Sequence, residues 1–180
     1  MKKIFKILNK LLFAIKRCLL IVKVFIFMLL FLHVLPAKAQ EESWWNMELQ
    51  TSKGDQLSPS AMIGENGILL FFMDPDCPVT QKYGATIRKL HQTYQDQGIS
   101  VAAIYPVVNA DADKISEFAN AYDYPFTHLL DPKLKFTKAI GASITPEVFL
   151  VDSEGSIRYQ GAIDNWFYEL GRYRRVITKH

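Results

Sequence analysis

Cys77 is the residue in this chain most able to do chemistry, and its neighbours say of what kind. It follows Asp74-Pro75-Asp76 and precedes Pro78-Val79-Thr80. Pro78 suits the first position of a helix, where its missing N–H costs nothing and its φ is already set. That places Cys77 at the helix N-cap, in the partial positive field of unpaired backbone N–H groups. A thiol in such a field ionises more easily than a free cysteine, whose pKa is about 8.5. Asp74 and Asp76 oppose ionisation, since nearby anions raise a thiol pKa, so partial activation is expected. Thr80 lies one helical turn on, placed to hydrogen-bond the sulfur. Thr145-Pro146 precedes a second apolar run and is a candidate cis peptide that presses against the thiol; the alternative is an ordinary proline at the start of a strand. The competing reading of Cys77 itself is a small buried side chain without chemistry.

The elements that must position these residues follow from patterning. Ile68 to Met73 is an unbroken apolar run of strand length, suited to a central strand covered on both faces. A helix from Pro78 to about Gln97 carries Val79, Tyr83, Ile87, Leu90 and Tyr94 on one stripe and stops at Gly98. Before the central strand, Leu49 to Leu57 reads as a hairpin turning at Lys53-Gly54-Asp55. After it come a strand over 99–108 and a helix capped by Asp111 or Asp113, with Ile115, Phe118, Ala119 and Tyr122 on its buried side. Thr127 to Leu130 then makes a short strand. Asp131-Pro132 opens a helix that Gly141 ends. Glu147 to Asp152 turns at Ser153-Glu154-Gly155 into Ser156 to Gln160. The order implies an α/β domain, a mixed sheet with right-handed crossovers and helices on both faces. In such sheets the site lies beyond the carboxyl ends of the strands, where Cys77 falls.

Residues 1–39 hold eight Lys or Arg and no acid, then the apolar run Val24 to Leu35 and Ala37-Lys38-Ala39. This is the pattern of a signal peptide, with a retained membrane anchor through residues 19–35 as the alternative. Both put residues 40–180 outside the cytoplasm, in the periplasm if the source is bacterial. With eight of the 21 basic residues in 1–39 and none of the 18 acids, the remainder carries 13 basic against 18 acidic, a formal net charge of −5. Nucleic-acid binding therefore has no support, and Arg172, Arg174, Arg175 and Lys179 read as a solvated tail. Of the two cysteines, Cys18 falls in the leader and lacks the small residue before it that a lipoprotein site shows. Residues 40–180 then form one domain holding a single thiol, which cannot close an internal disulfide.

Phe71-Phe72-Met73-Asp74-Pro75-Asp76-Cys77-Pro78-Val79, the run Ile144 to Asp152, and Gly155 to Asp164 together resemble the thioredoxin superfamily. The closer match is to redoxins of the alkyl hydroperoxide reductase/thiol-specific antioxidant type, the peroxiredoxin-like branch, over about Trp45 to His180. The resemblance implies the thioredoxin fold, Cys77 as active-site thiol and Pro146 as cis-proline. Against that pattern, Thr80 stands where disulfide exchangers carry a second cysteine. Asp74 stands where peroxiredoxins carry a threonine, and no arginine falls near Ile144 or Thr145. Such redoxins also continue past this chain's last residue into another helix, so a weakened edge is expected. The leading expectation is an exported monothiol redoxin, an antioxidant thiol peroxidase or thiol-disulfide oxidoreductase. Cys77 would attack peroxide or disulfide, and an external thiol would complete the cycle. No cofactor is expected. The alternatives are a redox-silent interaction module, or copper handling by Cys77 with His91, His128 or His180 as nitrogen ligands.

Overall fold

The computed structural model describes residues 16–17, 19–20, 23, 43–108, 111–169 and 172–174. The chain divides into two compact units, Met1–Glu41 and Glu42–His180. The leader motifs over 24–39 lie outside the described residues, as do Arg175, Lys179 and His180. Among the described residues no helix is long and apolar enough to cross a membrane.

In the second unit a 3-10 turn, Trp44–Asn46, leads into β1 (Leu49–Thr51) and β2 (Gln56–Leu57). Then follow α1 (Pro59–Met62), β3 (Gly67–Phe72), α2 (Pro78–Lys82), α3 (Gly84–Gln95) and β4 (Ile99–Tyr105). The chain continues through α4 (Ala112–Ala121), β5 (Thr127–Leu130), α5 (Lys135–Ile140), β6 (Glu147–Val151) and β7 (Ile157–Gly161). A small hairpin, β8 (Phe167–Glu169) and β9 (Arg172–Tyr173), comes last. Seven strands form one sheet in the order β2-β1-β5-β4-β3-β6-β7. β3 runs parallel to β4, and β4 to β5, while β6 is antiparallel to β3 and β7 to β6.

β3 is buried along its whole length because it feeds two cores. Leu69, Phe71 and Met73 face one side, packing with Tyr83, Ile87, Ile115 and Phe118 beneath α3 and α4. Ile68, Leu70 and Phe72 face the other, against Phe136 and Ile140 of α5, with Trp44 and Trp45 alongside. The strand's two-residue alternation thus needs apolar side chains at every position. The stripe expected on the Cys77 helix does face the first core.

Four local expectations are corrected. The helix from Pro78 is interrupted at Tyr83, which closes α2 with its N–H on Val79 and Thr80 carbonyls before α3 begins. The second strand ends at Tyr105, because Pro106 has no N–H to extend the ladder. Asp131 is not the N-cap residue of α5. That place belongs to Leu134 in the left-handed region, and Asp131 reaches forward to accept from Lys135 N, Thr137 N and Thr137 Oγ1 at 3.0, 2.8 and 2.7 Å. Arg172, read as part of a solvated tail, is exposed but belongs to β9 and pairs with Glu169 of β8.

Candidate functional site

Beyond β3 the chain stays alongside β4 for one more residue, with Met73 N donating to Ile104 O at 2.9 Å. It then turns. Asp74 accepts from Asp76 N through its carboxylate at 2.9 Å and from Cys77 N through its carbonyl at 3.1 Å. Pro75 is buried, and Gln81 Nε2 donates to its carbonyl at 2.8 Å, tying the turn to the first turn of α2. Cys77 is the N-cap of α2 and Pro78 its first residue. Asp76, expected to oppose ionisation, is paired with Lys114 of α4. That contact, above all its hydrogen bond, holds the Lys114 ammonium above the usual lysine range. One of the two nearby anions is therefore partly neutralised by a cation.

Cys77 is half-buried, and its sulfur points to the Thr145 carbonyl, with Sγ to O at 3.7 Å. The Thr145–Pro146 peptide is cis. Thr145 is half-buried and Pro146 buried. Thr80 does not make the bond expected of it. Its side chain is fully buried and Oγ1 has no hydrogen-bond partner, so the bond to the sulfur is not made. The structure thus brings Cys77 together with Thr145 and Pro146 from 68 residues away, and leaves Thr80, one turn along the same helix, as a buried unpaired hydroxyl.

Sequence reasoning missed Glu147, taken only as the start of a strand. It is buried, and Oε2 accepts from Ser143 N at 2.8 Å and Ile144 N at 3.4 Å. Oε1 accepts from Gln160 Nε2 at 3.1 Å, which also reaches Gly141 O at 3.1 Å. An acid opening an otherwise apolar strand was the available signal. Lys114 was missed as well, since nothing in the pattern joins it to Asp76. On the far side of the Cys77 helix, Tyr83 donates to Asp164, which also accepts from Trp166 N at 2.8 Å. Burial, then that bond, pushes the Tyr83 hydroxyl pKa above its ordinary value.

The histidines go elsewhere. His128 is buried, with Nδ1 against Tyr105 Oη at 3.0 Å and Nε2 against Tyr124 O at 3.4 Å. Burial lowers its pKa to about 4. His91 stacks edge-on against Phe126 at the other end of α3. Among the described residues no three His, Cys, Asp or Glu side chains gather to hold a metal ion.

A family model for the AhpC/TSA family matches residues 42–160, which include the Cys77 turn, the cis-proline loop and the strand that Glu147 opens. The chain belongs to the AhpC/TSA family. Solved structures agree on the fold. An uncharacterized conserved protein from Geobacillus kaustophilus superposes with TM-score 0.62 at 21% identity over 66% of each chain. A thiol-disulfide oxidoreductase from Bacteroides fragilis gives 0.59 at 18%, over 67% of this chain and 90% of that one. A secreted Mycobacterium tuberculosis disulfide oxidoreductase, described as homologous to DsbE of Escherichia coli, gives 0.53 at 18%, over 64% and 83%. No curated protein matches the chain in sequence. The chain is thus a thioredoxin-like redoxin of AhpC/TSA type. Of the described arginines, Arg88 is engaged by Tyr122 and Asp123, and Arg158 by Asp152.

Proposed function

We propose that this AhpC/TSA protein is an exported monothiol oxidoreductase in which Cys77 exchanges with disulfides, aided by the Thr145-Pro146 loop. The observation that carries the reading is the Cys77 sulfur, on a half-buried residue, 3.7 Å from the carbonyl that precedes the cis-proline. A disulfide partner bonded to Sγ lies against that loop. The Cys77 thiolate attacks one sulfur of a disulfide, the S–S bond breaks, and the second sulfur leaves as a thiolate that takes up a proton. With Thr80 where a second cysteine would stand, the mixed disulfide waits for an external thiol, which attacks it and frees Cys77. Attack on a peroxide would instead yield a sulfenic acid on Cys77 and release an alcohol or water; an external thiol would then condense with it and expel water.

Disulfide exchange is the reading that the loop carbonyl facing the sulfur supports, while Arg88 and Arg158 are engaged by Tyr122 with Asp123 and by Asp152. Export is supported by the basic-then-apolar pattern of residues 1–39, ahead of a domain from residue 40. The description of the M. tuberculosis fold neighbour as secreted agrees with it.

The test uses the full chain in a Cys18→Ser background, so that Cys77 is the sole thiol. Incubation with glutathione disulfide is expected to add one glutathione by intact mass, and Cys77→Ser to abolish the adduct. A protein that stays unmodified by glutathione disulfide, or that gives only a sulfenic acid with peroxide, would overturn the disulfide reading.

A further inference from the structure

We infer that Glu147, braced by Gln160, is a positioning residue that sets the substrate-facing loop against the Cys77 sulfur. The inference rests on Cys77 being the exchanging thiol and concerns how its disulfide substrate is held. Glu147 pairs in register with Phe72, the last residue of β3 and five positions before Cys77. Its backbone is therefore paired to the strand that delivers the sulfur. From there one oxygen holds the N–H groups of Ser143 and Ile144, at 2.8 and 3.4 Å, and the other holds Gln160 of β7 at 3.1 Å. Gln160 in turn holds Gly141 at the end of α5.

These bonds span the whole segment from Gly141 to Ile144, leaving Thr145 as the next residue. Thr145 O is the atom that faces Sγ. A buried carboxylate that accepts two backbone N–H bonds and one amide bond is costly to place, and it holds those donors in one geometry. Here that geometry fixes the wall against which any chain bonded to Cys77 must lie. Ile144 itself is 57% exposed, so the segment that Glu147 tethers presents an apolar side chain outward beside the site. The substrate class implied is an extended peptide disulfide, long enough to touch that segment. A small reagent that meets only the sulfur gains nothing from it.

Two rates separate these roles in the Cys18→Ser protein. One is alkylation of Cys77 by iodoacetamide; the other is its reaction with a short cysteine peptide activated as the thionitrobenzoate mixed disulfide. Glu147→Ala is expected to slow the peptide reaction about tenfold or more and to leave alkylation within about twofold. Glu147→Gln, which keeps a side-chain acceptor, is expected to recover most of the loss. Equal slowing of both reactions, or no slowing of either, would overturn the inference. Should Glu147→Ala fail to fold, Gln160→Ala carries the test, since both side-chain hydrogen bonds of that exposed residue go to the brace. A peptide rate unchanged in Gln160→Ala, measured against alkylation, would overturn the inference equally. A parent protein that takes iodoacetamide at Cys77 but ignores the peptide disulfide would sink the exchange reading itself, a result distinct from a parent that reacts and a Glu147 variant that matches it.

Discussion

Thr80 sits one turn beyond Cys77 with its hydroxyl fully buried and unpaired. A buried polar group without a partner costs about 1–3 kcal/mol. Valine has nearly the same shape and no hydroxyl, so Thr80→Val is expected to stabilise the domain by about 1 kcal/mol, read as a higher denaturant midpoint with an unchanged slope. Iodoacetamide alkylation of Cys77 should keep its rate. A destabilised variant with altered alkylation would mean that the hydroxyl serves the sulfur after all. Asp76 illustrates the same scale differently: its effect on the site cannot be read from its charge alone, because Lys114 of α4 shares that charge.

At the scale of elements, the break between α2 and α3 decides how the Cys77 helix is seated. Tyr83 at the break bonds Asp164 and packs edge-on against Trp166, locking the helix to the segment after β7. Gly84, the next residue, lies so near Tyr122 that an added Cβ would stand 2.4 Å from its ring. Tyr122 is itself packed on Phe118 and stacked with Tyr124, so it has little room to withdraw. Helix propensity favours alanine over glycine by about 1 kcal/mol, while overpacking a filled core costs about 1–3 kcal/mol. The clash should win: the difference leaves Gly84→Ala destabilising by about 1 kcal/mol, and at most about 2, in denaturant unfolding. A neutral or stabilising result would show the two elements able to separate at no cost.

For the molecule as a whole, the buried His128 makes stability depend on pH. Its folded pKa of about 4 lies below the ordinary 6.5, first because of burial, then lowered further by Lys53 and partly restored by the Tyr124 carbonyl. The unfolded chain therefore binds the proton more readily. The contribution is fully present above pH 6.5 and is lost as pH falls from there through 4, amounting to about 3 kcal/mol. Denaturant midpoints measured over that window should fall with pH, and less steeply in His128→Gln, which keeps a hydrogen-bonding side chain beside Tyr105. Equal slopes in the two proteins would assign the loss to carboxylates elsewhere.

Ile68 to Phe72, the stripe from Val79 to Tyr94, and the Cys77-Pro78 helix start were legible because they are local: period, capping chemistry and proline placement act within a few residues. The same holds for the strand at Glu147 and the turns at Gly98 and Gly141, both with positive φ. These signals sufficed for an α/β sheet with a thiol at the end of its central strand. Long-range partners left no such local trace; the approach of Thr145-Pro146 to the thiol was expected only as a candidate cis peptide and through the family resemblance. That Thr145 O faces the sulfur, that Glu147 ties the loop to β7, and that Lys114 covers Asp76 depend on which strands lie side by side. β6 inserts between β3 and β7, and only that antiparallel placement brings residues near 145 to residue 77. At the helix break, too, Tyr83 is bonded to Asp164, 81 residues away. Propensity and periodicity carry no information about contacts of that reach; burial and backbone pairing in the folded sheet decide them.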